Sequence, residues 1–278
     1  MIQFIKRFFL LVCLAAITMS IGGWTWTKNT GNKVVIKGST TVLPITQKTT
    51  EEFRKTNKIS ITIEGSGSGN GIKALLDGTC DIANSSREMK GEEKEAAKSK
   101  GIDVQEITVA YDMIVPVVNT ANPVKNITMT QLNAIYDGSI NNWKQLGGKD
   151  ETIVCISRDT SSGTYEIWHE KVMKKTDVRN DALLQASNGT IVSAVAGNPK
   201  AIGYIGFGYI DSSVKPLVVD NVTPTIDNGK SGKYPISRKL YMYVDKNKLS
   251  PEAKNYIDYV LSPKGQNLVK ETGFISIN

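Results

Sequence analysis

The chain has little of the chemistry that most catalytic proteins use. It holds a single histidine, His169, and only three cysteines. Neither an H-E-x-x-H run nor a paired-cysteine spacing occurs, so the ligand pattern of a zinc hydrolase is missing. A P-loop requires Gly-Lys-Ser/Thr after a four-residue gap. In "IEGSGSGNGIKALLDG", residues 63–78, Lys73 instead follows Ile72 and precedes Ala74. The dinucleotide fingerprint fails in the same stretch, because Asn70 and Ile72 stand where glycine is needed. No long low-complexity tract argues against a packed core. Basic residues are in excess, at a net charge of +7, yet they are too dispersed for a nucleic-acid footprint.

What is present begins with an export-like segment. Lys6 and Arg7 precede Phe8–Ile21, an almost unbroken apolar run. A basic n-region before a short h-region reads as a secretory signal. The run is shorter than the ~20 residues of a spanning helix, although Trp24 and Trp26 extend it toward a membrane interface. Cleaved signal, retained anchor and lipidation at Cys13 in "LLVC" all remain open, with Val12 where a small residue is usual before a lipidated cysteine. Residues 1–27 are therefore read as a signal peptide or membrane anchor, which places the protein outside the cytoplasm, at the outer face of the cell membrane or in the periplasm. Removing Lys6 and Arg7 lowers the charge from +7 to +5, a mild excess that suits anions or a membrane surface. Cys80 and Cys155 lie in apolar strand-like runs and read as buried free thiols rather than a disulfide.

Downstream, strand and helix signals alternate. "KVVIKG", "ISITIEG", "CDIANSS" and "TIVCISR" have strand character. "TVLPITQKTTEEFRKT", "NGIKALLDG", "GEEKEAAKSKG", "MTQLNAIYDG", "SGTYEIWHEKVMKK" and "TIVSAVAGNP" have helical character. "AIGYIGFGYI", "KPLVVD" and "RKLYMYVD" read as later strands, and Ser250 with Pro251 opens the closing helices. Such alternation predicts an α/β fold with mostly parallel sheets covered on both faces. The pattern reads as two lobes, joined by a long strand at residues 108–118 and a return near Ser237–Tyr243. Ligands in such folds sit at strand C-terminal ends, in the cleft between lobes.

Three strand-to-helix junctions carry hydroxyls: "KGSTTVLP", "IEGSGSGNG" and "SRDTSSGTYEIW". The last adds Arg158, whose guanidinium can grip an oxyanion bidentately. Helix starts with free N–H groups and Ser or Thr side chains point to a dehydrated anion held by a fan of donors.

With "GSTTVLP", "GSGSGNGIKAL", "DIANSSR", "SRDTSSGT" and "AIGYIGFGY" together, the chain resembles the phosphate-binding proteins of bacterial phosphate-specific ABC transporters, a periplasmic-binding-protein-like family. The resemblance runs from about Lys33 to the end. It implies a two-lobed type II fold, with lobe 1 at residues 33–110 plus 240–278 and lobe 2 at 111–239. It also implies a monomer that captures inorganic phosphate, needs no cofactor or metal, catalyses nothing, and hands its ligand to membrane permease subunits. Thr40 would give its hydroxyl and N–H, Thr41 its N–H, with Ser39 beside them. Ser68 would contact phosphate from the glycine loop, and Arg158, Ser162, Gly163 and Thr164 from the third junction. Some members place an aspartate, acceptor of the ligand's proton, where this chain has Ser86. That departure leaves sulfate or molybdate as alternative ligands. Arg87, next in sequence, either reaches the ligand or pairs with Glu88 or another acid. A phosphate-ester hydrolase built on His169, and a surface protein acting in adhesion or signalling, are the remaining alternatives.

Overall fold

The computed structural model describes residues 32–278. The export-like segment, with Lys6, Arg7 and Cys13, lies outside the described residues. Among those described, no helix is long and apolar enough to cross a membrane.

The first half is built from β1 (Lys33–Gly38), α1 (Leu43–Arg54), β2 (Ser60–Gly65), α2 (Ser68–Leu76), β3 (Ile82–Ser85) and α3 (Gly91–Ser99). The long β4 (Val104–Asn119) then leads to β5 (Asn126–Ile127), α4 (Met129–Asp137), β6 (Val154–Arg158), α5 (Gly163–Lys171), β7 (Leu183–Gln185), α6 (Asn188–Ala196) and β8 (Ala201–Gly206). After β9 (Val214–Pro216), β10 (Val218–Val219) and α7 (Ile226–Lys230), the chain returns through β11 (Ser237–Asp245). It closes with α8 (Pro251–Leu261) and α9 (Pro263–Glu271).

Among the described residues, nine strands form one sheet in the order β2-β1-β3-β11-β4-β8-β6-β7, with β9 also on β4. The outer pairs β1–β2, β1–β3, β6–β7 and β6–β8 are parallel, as strand–helix alternation requires. The centre is antiparallel. β4 pairs β11 through Met113 and then β8 from Ile114 onward, so one sixteen-residue strand serves both halves. The expected joining strands are thus β4 and β11, lying side by side.

Local chemistry sets the boundaries. Val34 and Ile36 alternate inward along β1, the period-two pattern of a strand with unequal faces. Ser250 Oγ accepts the Ala253 N–H and Pro251 takes the first position of α8. α5 is shorter than "SGTYEIWHEKVMKK" suggests. Lys174 and Lys175 both have positive φ, which an α-helix does not accommodate. "KPLVVD" is likewise broken, β9 joining β4 while β10 pairs β5 in a separate two-stranded sheet.

The buried apolar side chains form separate cores. One gathers Val34, Ile45, Phe53, Leu240 and Tyr256, from the two ends of the described chain. A smaller one holds Ile72, Ala83 and Tyr241. Another gathers Ile114, Val117, Tyr136, Trp143, Trp168 and Tyr204. Trp168 stacks on Tyr204 at 4.1 Å between ring centroids and fixes α5, whose first turn carries Gly163 and Thr164. Truncating a buried tryptophan costs about 3–5 kcal/mol, so this stack is a strong hold on that helix start.

Candidate functional site

The C-terminal ends of β1, β2, β3 and β6 lead directly into the hydroxyl-rich junctions. After β1, Ser39 Oγ accepts the N–H groups of Thr41 (3.1 Å) and Val42 (3.3 Å) and so sets the turn into α1. The Thr41 N–H is therefore donated within its own turn, and it is the Thr41 hydroxyl that faces the other residues. After β2, Gly67 has φ near +102°, a conformation open to glycine, and Ser68 follows as the first residue of α2. Ser68 Oγ accepts the Ser86 N–H at 3.0 Å and lies 3.2 Å from Ser86 Oγ. After β6, Ser162 caps α5, its Oγ accepting the N–H groups of Thr164 and Tyr165.

These junctions meet. Thr41 Oγ1 is 3.1 Å from Thr164 Oγ1, across 123 positions of sequence. A Cβ added at Gly163 would stand 2.4 Å from Ser68 Oγ and 2.7 Å from Ser86 Oγ, so glycine is what lets α5 approach. The Gly69 N–H donates to Ser161 O at 3.0 Å, and Lys90 pairs with Glu166 at 2.7 Å. Ser39, Thr40, Thr41, Ser68, Ser86, Arg158, Ser162, Gly163 and Thr164 are all buried. Thr41, Ser68, Ser86, Gly163 and Thr164 thus come together, Arg158 is buried at the end of β6, and Ser39 and Ser162 use their hydroxyls to shape turns.

Arg158 is the main charge. Its Nε donates to Gln185 O at 3.0 Å and its Nη2 to Ala186 O at 2.9 Å, both carbonyls at or just beyond the end of β7. Its Nη1 is buried and has no partner among the described residues. Asp159 stands 3.5 Å from Nη2 but is a third exposed, and its other oxygen holds Ser161. Burial pulls the guanidinium down from its ordinary value, with Asp159 opposing. A buried cation with an unused NH2 group and only a partial counter-charge calls for an anion.

A second buried arginine, outside the sequence motifs, joins these hydroxyls. Arg238, on β11, is buried against Asp112, its direct cross-strand partner on β4. Nε and Nη2 reach Asp112 Oδ2 at 2.9 and 2.7 Å. Nη1 donates to Thr164 Oγ1 at 3.0 Å and Ser86 O at 3.3 Å, and Nη2 to Thr41 Oγ1 at 3.4 Å. Burial raises the Asp112 carboxyl, with Arg238 opposing. Asn188, the first residue of α6, is buried and donates to Thr41 Oγ1 at 3.0 Å. Tyr209 Oη donates to Thr40 O at 2.5 Å. The only signal for Arg238 was an arginine inside an apolar strand, "ISRKLYMYV".

Arg87 does not turn to these hydroxyls. Nη1 and Nη2 of the buried Arg87 hold both oxygens of the partly buried Glu93 at 2.7 Å, so the other acid is Glu93 rather than Glu88. His169 stacks on Tyr165 and lines an open groove of about 990 Å³ beside Lys90, Lys171 and Lys239. Among the described residues no hydrogen bond joins its imidazole to a serine, and no cluster of three metal-ligating side chains occurs. Cys80 and Cys155 are buried and unpaired with each other. Burial raises both thiols, Cys80 to about 12.

A sheet that carries separate hydrophobic cores, with hydroxyl and guanidinium groups converging at strand ends, has the architecture of the solute-binding class. Residues 25–264 match the model of the PBP superfamily domain. The chain is 33% identical over 264 residues to the phosphate-binding protein PstS of Borreliella burgdorferi, spanning 90% of this chain and 92% of that one. It is also similar to the structure of a phosphate ABC transporter substrate-binding protein with bound phosphate from Clostridium perfringens. That likeness has a TM-score of 0.84 and 38% identity, over 89% of this chain and all of that one. An ABC-type phosphate transport receptor from Vibrio cholerae gives a TM-score of 0.72 and 33% identity, over 87% and 99% of the two chains. The protein belongs to the PBP superfamily and, within it, to the family of PstS phosphate-binding proteins.

Proposed function

We propose that this protein captures inorganic phosphate outside the cytoplasm and delivers it to the permease subunits of an ABC importer. The observation that carries the reading is the buried Nη1 of Arg158, without a partner among the described residues, in a protein whose Thr41, Ser68, Ser86 and Thr164 hydroxyls meet at the start of α5. Arginine presents a planar fork to tetrahedral oxyanions, and a helix start adds oriented N–H groups. Thr40, Thr41, Ser68, Ser86, Arg158, Gly163 and Thr164 are assigned as contacts, with Ser39 and Ser162 holding the turns that present them.

Enclosure supports the free anion over an ester. Ser68 and Thr164 have no exposed surface and Arg158 has 1%, which suits a small free anion better than one carrying an organic substituent. The arrangement suits binding without chemistry, since a hydrolase needs a nucleophile held beside its base. Capture follows from hinge closure of two lobes, residues 33–110 plus 240–278 and residues 111–239, about β4 and β11. Export, with attachment to the membrane surface, rests on the segment Lys6–Ile21, and the protein acts as a monomer. Sulfate or another oxyanion is the second reading, favoured by the neutral Ser86 where an acidic acceptor would select for a protonated ligand.

Isothermal titration with phosphate tests the function. Saturable binding of one phosphate per chain is expected, and no heat at millimolar phosphate refutes it. Mass spectrometry of the native N-terminus tests export, and a cytosolic protein retaining Met1 refutes that part.

A further inference from the structure

Arg238 makes more contacts than a charge pair requires, and their geometry fixes the direction of neighbouring hydroxyl protons. Asn188 supplies the first constraint. Its Oδ1 accepts the Gly206 N–H at 3.1 Å, so the nitrogen of the amide faces Thr41. Thr41 Oγ1 then meets two groups that can only donate, Asn188 Nδ2 at 3.0 Å and Arg238 Nη2 at 3.4 Å. Both its lone pairs are occupied, and its own proton turns to Thr164 Oγ1 at 3.1 Å. Thr164 Oγ1 already accepts from Arg238 Nη1 at 3.0 Å. With both of its lone pairs occupied too, Thr164 must donate, and no acceptor for that proton stands among the described residues.

We infer that Arg238, held by Asp112 and seconded by Asn188, is a positioning residue that makes the Thr41–Thr164 pair a one-way donor to the bound anion. This rests on the phosphate reading above. A ligand oxygen facing Thr164 is then an unprotonated one. The proton of hydrogen phosphate is directed toward the Ser68–Ser86 side, where a hydroxyl is able to accept. Arg238 acts through other residues. The same guanidinium ties β11 to β4, to the Thr41 turn, to the Ser86 carbonyl and to the start of α5. The hydroxyl chain therefore exists only when all four are together.

The test is a cycle of variants read by phosphate titration. Thr164→Val in the otherwise unaltered protein removes the donor and weakens phosphate binding about tenfold or more. The paired change Asp112→Leu/Arg238→Met removes both charges at once and leaves neither unpaired. In that background Thr164 is free to turn its proton elsewhere, and Thr164→Val is expected to change affinity by about twofold or less. An equal factor in both backgrounds overturns the positioning role, because a merely structural Arg238 leaves the effect of Thr164 untouched. If the paired variant does not fold, Arg238→Lys replaces it. That change keeps a charge opposite Asp112 but cannot reach both threonines, and the factor for Thr164→Val must again shrink. Failure of the unaltered protein to bind phosphate refutes the phosphate reading itself. Normal binding with equal factors refutes the role of Arg238 alone.

Discussion

Replacing Arg158 with alanine is the most informative single perturbation. The side chain is 1% exposed and donates to the carbonyls of Gln185 and Ala186, leaving Nη1 without a partner among the described residues. Arg158→Ala removes the charge that is not already matched by a buried acid. Truncating one partner of a buried charge-assisted pair costs roughly 2–5 kcal/mol. At ~1.4 kcal/mol per tenfold, that is a loss of roughly 30-fold to a few thousand-fold in phosphate affinity. Arg238 does not substitute, because Asp112, Thr41, Thr164 and Ser86 occupy its N–H groups. Arg158→Lys restores the charge without the fork and should fall between the two. Titration calorimetry gives the affinities, and thermal unfolding without phosphate separates loss of binding from loss of fold. Arg158→Ala binding phosphate within about threefold of the unaltered protein would refute the placement of the site.

Three further outcomes follow from the same geometry. Gly163→Ala puts a methyl against the hydroxyls of Ser68 and Ser86. The folded protein should then fail to close, so that the phosphate-induced fall in scattering radius expected of the parent is lost; retention of that fall contradicts it. Ser86→Ala removes one neutral partner, so phosphate affinity should drop about fivefold, from ~1 kcal/mol, while the phosphate-to-sulfate ratio moves more. A ratio that stays constant denies Ser86 a part in selectivity. The buried thiols of Cys80 and Cys155, raised by desolvation, should be unreactive near pH 8 and react fully in denaturant. Rapid modification of the native protein, mapped to either residue, runs against this.

The sequence displays some of this architecture and hides the rest for identifiable reasons. β1 and α1 are legible because Val34 and Ile36 alternate inward and because Ile45, Thr49 and Phe53 share a helical face. The glycine loop and the Arg158 junction are legible because hydroxyls, glycines and a strand-to-helix change coincide within a few residues. β7 is not, since three residues, two of them exposed leucines, carry no period. Its end nonetheless supplies the carbonyl of Gln185 that orients Arg158. The Asp112–Arg238 pair joins residues 126 positions apart. Each alone reads as an ordinary polar residue in an apolar strand, and only the antiparallel register of β4 and β11 makes them partners. Asn188 is similar: as a helix-opening asparagine it looks local, while its function depends on the Thr41 turn.

The central claim is that this enclosed, donor-rich site selects phosphate. Competition titration of phosphate against sulfate, at about pH 5 and about pH 8, tests it most directly. Both anions are tetrahedral, but only phosphate carries a proton at both values. Tight phosphate binding that sulfate fails to displace at either pH is the expected result, with the proton accepted on the Ser68–Ser86 side. Equal affinity for the two anions at both pH values contradicts the claim and makes the protein a general oxyanion binder.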